Sequence, residues 1–183
     1  LAGLFGVGGG AVIVPVLYQV FTTLAVPEAV RMHLCVGSSL AIIVPTSIQS
    51  FRTHRAKGAT RMDVLKLWAV PVVAGTVLGS VLAAFAPGLL LKSVFVLVAG
   101  ANAIKNLAGR DDWRIGADFP SAPAMRGYGF GIGFASALMG IGGGAISNMI
   151  FSFPNRPIPQ AVATSAGLGV LISITGTLGS VIG

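Results

Sequence analysis

Two runs of glycine are the residues in this chain best placed to do chemistry. Leu4-Phe5-Gly6-Val7-Gly8-Gly9-Gly10-Ala11-Val12 returns as Leu138-Met139-Gly140-Ile141-Gly142-Gly143-Gly144-Ala145-Ile146. Both copies lie in long apolar stretches, where each glycine costs a helix roughly 1 kcal/mol relative to alanine. Three in succession, at matching places, predict unwound backbone. At membrane depth such backbone is tolerated only where it is buried in protein or lines a cavity. The N–H groups of Gly8, Gly9 and Gly10 then head a half-helix beginning near Ala11, and those of Gly142, Gly143 and Gly144 head one beginning near Ala145. Helix N-termini carry partial positive charge and unpaired donors, which suits an anion. Two of them facing one cavity would hold an anion without any buried Lys or Arg.

A pair of hydroxyls follows each glycine run. Val36-Gly37-Ser38-Ser39-Leu40 lies 29 residues after the first triplet, counting Gly10 to Ser39. Val162-Ala163-Thr164-Ser165-Ala166 lies 21 residues after the second, counting Gly144 to Ser165. Taken singly, such residues most simply bond the carbonyl one turn back in their own helix. Repeated beside repeated glycines, Ser38, Ser39, Thr164 and Ser165 become candidate donors to a passing oxyanion. Thr46, Gln49, Asn102 and Asn148 could line the path, though interhelical packing bonds explain them equally. Isolated glycines such as Gly75, Gly79 and Gly100 read as close-packing positions between helices.

Other chemistries fit poorly. Gly6 to Gly10 has the look of a dinucleotide loop, and Glu28 lies about 20 residues on, as a ribose-binding acid would. The second copy has no such acid, and there is no soluble βαβ unit. Ala11 and Ala145 stand where a phosphate-binding loop needs Lys. No His, Cys, Asp or Glu cluster has metal-ligand spacing, and no nucleophile–base pair sits in the apolar segments. No catalytic residue, metal or cofactor is therefore assigned, and the chain reads as a non-enzyme. The single Cys35 excludes an internal disulfide.

The elements that must position these residues are membrane helices. Charged residues make up 9% of the chain and hydrophobic ones 54%, with a mean hydropathy of +0.88. A soluble domain carries about 25% charge. The net charge of +7 does not imply nucleic acid, because the basic residues cluster between apolar runs, as in loops facing anionic lipid. Six runs near membrane-spanning length appear: Leu1 to about Leu24 and Gly127 to Phe153, both broken at a triplet, and about His33–Phe51, Leu67–Phe85, Leu89–Leu107 and Ala161–Gly183. Pro15 and Pro45 fall inside two of them. The chain opens and closes inside apolar sequence and reads as a piece of a longer protein.

Arg52, Arg55, Lys57, Arg61 and Lys66 lie between the second and third runs; Arg110, Arg114 and Arg126 lie between the fourth and fifth. The other connections are poor in Lys and Arg, so both basic loops are expected to be cytoplasmic. The expected fold is all-α: a polytopic integral membrane helical bundle with two homologous repeats and Gly-broken helices. Residues 1–108 form a first repeat of about four helices, 109–126 a cytoplasmic linker, and 127–183 the start of a second repeat. With four crossings per unit, the reading adopted, the halves are parallel. If the Gly-broken segment turns back, each unit has three and the halves are inverted.

The paired phrases Leu4 to Gly10 and Val36 to Leu40, with their second copies, resemble the TauE/SafE sulfite-exporter family of bacterial membrane permeases. The resemblance covers nearly the whole chain. It implies about eight helices in the bacterial inner membrane and transport of sulfite, sulfonates or related small organic anions. Ala163 stands where the first hydroxyl motif has Gly37, so the two halves are not equivalent in detail. The expected function is secondary transport, in the export direction, of a small anion by alternating access, with coupling protons and a homo-oligomer as possible partners. The alternatives are an anion channel, or a membrane protein using its glycines only for packing. Cysteines introduced at Ala56 and Ala117 should resist an impermeant thiol reagent applied to intact cells; labelling of either from outside would overturn the loop assignment.

Overall fold

The computed structural model describes residues 10–56, 62–108, 122–143 and 158–182. These residues form six α-helices and no strand: α1 Gly10–Thr23, α2 Glu28–Ala56, α3 Met62–Phe85, α4 Gly88–Ala108, α5 Ala122–Met139 and α6 Ile158–Ile182. Glu28–Ala56, Leu65–Phe85 and Ala163–Val181 are each long and apolar enough to cross a bilayer. The chain is a multi-pass membrane protein. α1, at 14 residues, extends only about 21 Å, short of a hydrocarbon core about 30 Å thick. Gly6, Gly8 and Gly9 lie outside the described residues, as do residues 109–121.

α2 starts earlier than the apolar run suggests. The Pro27 carbonyl accepts from Val30 N and Arg31 N at 3.2 and 3.1 Å, and Glu28 puts an acid in the first turn, where the helix dipole favours it. α4 begins the same way, with Pro87 accepting from Leu90 N at 2.8 Å. α1 ends on Ala25 at φ 56°, with Val26 N donating to Phe21 O at 3.0 Å. That is a left-handed cap with Ala in the place glycine usually takes. Pro15, Pro45 and Pro71 all lie inside helices.

Bilayer-type partition is evident. Large apolar side chains cover the outside, among them Val70, Phe85, Leu97 and Val181, while Ser39, Ser47, Thr76, Ser80, Ser136, Thr164, Ser165 and Ser173 are buried. Trp68, Val72, Leu91 and Ile172 fill the centre with no exposure. Lipid already satisfies the apolar exterior, so the hydroxyls collect where helices can bond them.

Helix directions follow from which residues meet. α3 and α5 run side by side in the same sense: Gly129 faces Trp68, Gly75 faces Phe130, and Gly79 faces Phe134 and Ala137. α2 and α6 run oppositely: Phe51 meets Gly167, Ser47 meets Gly169, Leu40 meets Gly176, and Gly37 meets Ser180. Leu65 meets Gly167 and Ser80 meets Gly179, so α6 also runs with α3. α5 and α6 therefore start at one end of the bundle, the end holding Lys66 and Arg52. The chain between them must come back, and it begins to do so at the second glycine motif. Gly140 (φ 67°) and Gly143 (φ 72°) are left-handed, and a Cβ on Gly143 would sit 3.6 Å from Ser136 Oγ, on the last turns of α5. The expected fifth segment breaks at its glycines and reverses there; its residues from 144 to 153 lie outside the described set.

The small residues of α3 and α5 permit this packing. A Cβ on Gly79 would stand 2.7 Å from the Phe134 carbonyl oxygen and 2.9 Å from Ala137 Cβ, and one on Gly133 would strike the Val72 carbonyl. Gly75 and Gly79 are close-packing positions, as expected. Gly100 meets nothing within 4 Å among the described residues and shows no close packing against them. Gly79→Ala should therefore cost about 1–3 kcal/mol of bundle stability through overpacking. Gly100→Ala should be neutral or gain up to about 1 kcal/mol from helix propensity. Denaturant titration in detergent micelles compares them; equal effects would contradict the packing assignment.

Candidate functional site

The second glycine motif forms a tight reversal held from three sides. Ile141 N donates to Ser136 O at 3.2 Å, and Gly143 N donates to Ile141 O at 2.7 Å. The second bond spans two residues, a turn that only backbone with special dihedrals can make. α1 arrives with its first residue. A Cβ on Gly10 would lie 2.5 Å from Gly140 O and 2.7 Å from Ile141 Cα, so no larger residue fits. α2 closes the second side: Gly140 packs on Val36 and Gly142 on Ile43. α6 closes the third, with Gly143 against Ile172 and Gly169 against the Gly142 carbonyl. Gly140, Ile141, Gly142 and Gly143 are all buried.

Ser39 fixes this reversal. Its hydroxyl donates to the Gly140 carbonyl at 2.8 Å, a fully buried bond joining residues 101 apart. A serine in a helix ordinarily turns back to its own chain. Here it supplies the donor that the Gly140 carbonyl lacks once the helix stops. Its oxygen lone pairs remain on the α2 face. Next in rank is Ser47 Oγ, 3.3 Å from Ser173 Oγ, tying α2 to α6.

Of the residues assigned from sequence, Gly10, Gly142, Gly143 and Ser39 are thus brought together. Ser38 is half-buried beside Ser39 on α2. Thr164 and Ser165 are buried on α6 at 1% and 3% exposure, one to two turns before the Gly169 contact with the reversal. Gly8, Gly9 and Gly144 lie outside the described residues. Thr46 and Gln49 are exposed on α2 and face away from the interior; Asn148 is not described.

Ser136 was not legible. It is fully buried on the turn before the reversal, and its Oγ has no hydrogen-bond partner among the described residues. Ala2 occupies the matching place before the first motif, so the repetition that flagged the other hydroxyls cannot flag this one. A buried hydroxyl left open beside unwound backbone is a candidate ligand group. No group of three or more His, Cys, Asp or Glu residues that could hold a metal occurs among the described residues. The polar groups around the reversal are neutral amides and hydroxyls, a set that can hold a small anion and let it leave.

Ser39→Ala should leave the Gly140 carbonyl unpaired and loosen the reversal by about 1 kcal/mol, near the usual range for interhelical bonds in membranes. Hydrogen exchange at the Ile141 and Gly143 amides should then speed up several-fold. Unchanged exchange would mean that the bond does not hold the turn.

A family model described as sulfite exporter TauE/SafE matches residues 1–183. A probable membrane transporter protein of Methanocaldococcus jannaschii is 30% identical over 179 residues, covering 97% of this chain and 66% of that protein. A probable membrane transporter protein of Haemophilus influenzae is 32% identical over 185 residues, covering 96% of this chain and 67% of that one. A second Haemophilus protein of the same description is 28% identical over 151 residues and is matched over 54% of its length. The chain thus spans about two thirds of the first two relatives and about half of the third. No solved structure matches it. The chain belongs to the sulfite exporter TauE/SafE family.

Proposed function

We propose that this member of the TauE/SafE family is the larger part of a secondary transporter, in the export direction, for a small anion such as sulfite, a sulfonate or a related organic anion. The observation that carries the proposal is the buried reversal at Gly140–Gly143, met by the N-terminus of α1 and fixed by Ser39. Unwound backbone from two helices, meeting inside a bilayer among neutral hydroxyls, is the arrangement by which broken-helix transporters hold substrates. Membership of a family named for sulfite export, and relatives described as membrane transporters, support a transport role. In this reading Gly8, Gly9, Gly10, Gly142 and Gly144 offer backbone donors, and Ser38, Thr164 and Ser165 add hydroxyls, while Gly143 and Ser39, whose protons the turn engages, give the substrate site its shape.

We further infer that the two halves are inverted repeats, the second of the two arrangements left open above. Ser47 and Ser173 are 126 residues apart, the same interval that separates Ser39 from Ser165. Equivalent residues that touch across antiparallel helices lie on a two-fold axis perpendicular to those helices, hence in the membrane plane. Alternating access then needs only a rocking of one half against the other. With the Arg52–Lys66 end cytoplasmic, the reversal at Gly140 is reached from that side and the α1 half-helix from the other.

The test is flux of labelled sulfite, isethionate and acetate in proteoliposomes holding the full-length protein. Saturable flux with counterflow is expected; linear, voltage-driven flux would point to a channel instead. Gly143→Leu should abolish transport, since a side chain there meets Ile172 and cannot hold φ 72°; Gly9→Leu should do the same. Thr164→Ala should raise the apparent KM about 10- to 100-fold, the range for one lost bond to a charged ligand. Wild-type rates in the glycine variants, with normal insertion, would remove the reversal from the substrate path.

A further inference from the structure

A cavity of about 240 Å³ lies away from the reversal between α2, α3, α4 and α6, at the end of the bundle opposite Arg52 and Lys66. Its walls are small and apolar apart from His33, Ser80 and Ser180. His33 Nε2 lies 3.0 Å from the Ala86 carbonyl oxygen in the α3–α4 connection. A carbonyl only accepts, so Nε2 carries the proton and Nδ1 presents a lone pair. Nδ1 is closed off from solvent, with no hydrogen-bond partner among the described residues. Both serine hydroxyls have committed their protons: Ser80 Oγ donates to Thr76 O at 2.8 Å and Ser180 Oγ to Thr177 O at 2.9 Å. The polar groups here therefore offer acceptors: two serine oxygens at the wall, and one nitrogen that the present ring orientation keeps closed off. Such a wall fits a guest that brings a proton.

No fixed charge competes for the place. α6 carries no titratable residue, and α3 carries only Asp63 and Lys66, both in its first two turns at the far end. α2 brings Glu28, Arg31 and Cys35, α4 brings Lys92, and α1 brings Tyr18. Arg31 and Lys92 are drawn to the α1 side, 5.4 and 5.1 Å from the Tyr18 ring centre. Arg31 also donates to Val26 O at 2.7 Å. Glu28 lines the adjoining pocket with Lys92. Among the residues lining the cavity, His33 is the one titratable group.

We propose that His33 is the proton-binding site through which transport is coupled to a proton gradient. The step is transfer of a proton from hydronium to Nδ1, forming an N–H bond and leaving water. It requires the ring to turn into the cavity, where the lone pairs of Ser80 and Ser180 can accept. Val36 links the two sites: it lines this cavity and packs on Gly140, one helical turn from His33. An imidazolium here places positive charge one turn from the proposed anion site. The proposal rests on the transport reading above.

The test uses the full-length protein in lipid nanodiscs with 15N-labelled histidine, the His33 signal being identified by its loss in His33→Gln. Acidification should convert its ring nitrogens from the neutral to the charged pattern. A ring that stays neutral throughout overturns the proton site. In proteoliposomes, an imposed gradient of one pH unit should drive accumulation of [35S]sulfite up to about tenfold for one proton per anion. In His33→Gln, which keeps an amide donor for Ala86, that accumulation should fall to no excess. A gradient without effect on the wild type, or a response that survives in the variant, overturns the coupling. Absence of any sulfite, isethionate or acetate flux in the wild type would instead sink the transport reading, and the imidazole titration would then decide the proton site by itself.

Discussion

Backbone-to-backbone approach at Gly140 is the constraint on which this structure turns. In a bilayer, a helix that stops leaves carbonyls that no water can satisfy. The chain stops there, reverses, and must find both donors and room. Ser39 supplies a donor, and Gly10, Gly142, Gly143 and Gly169 supply the room by having no Cβ. Neither provision works without the other. With larger residues the helices stand too far apart for the Ser39 bond; without the bond, close packing would bury an open carbonyl at a cost of about 1–3 kcal/mol. Three helices are thereby located relative to one turn. The rest of the bundle is spaced by the same device, with glycines of α3 and α5 facing each other's backbone.

Much of this organisation could be read from residue order alone. Apolar runs located α3 and α4 to within about five residues at either end, because sparse charge and Pro or Gly punctuation mark membrane helix limits well. α2 begins five residues before its apolar run, since Arg31 and His33 interrupt that run while Pro27 and Glu28 set the true start. The glycine phrases marked the reversal because three helix-weakening residues in apolar sequence need a reason. Its direction was not legible. Unwound backbone is equally compatible with crossing and with turning back, and only the pairing of Gly129 with Trp68 and of Gly167 with Phe51 distinguishes them. The partner of Ser39 was hidden for a similar reason: a bond over 101 residues leaves no trace in local sequence. Ser136 escaped because it has no counterpart in the first copy.

The distribution of polar groups explains why such a chain can be both stable and permeable. Its exterior is aliphatic and inert toward lipid. Among the described residues its interior carries hydroxyls, most of them spent on neighbouring carbonyls, while the His33 imidazole and Ser136 are incompletely bonded. Uncharged donors and acceptors bind an ion through many weak contacts, so no single deep well holds it. A buried Lys or Arg at the same place would bind an anion more tightly and release it more slowly.

The bond between Ser47 and Ser173 has a mechanical consequence. Points on a rotation axis do not translate when the bodies around it turn. If two inverted halves exchange inward and outward forms, this pair is the fulcrum, and its separation stays constant while the helix ends sweep in opposite directions. A lever pivoted at its centre exposes one mouth by as much as it shuts the other. In the proposed inverted arrangement, opening both mouths at once would require this pair to part.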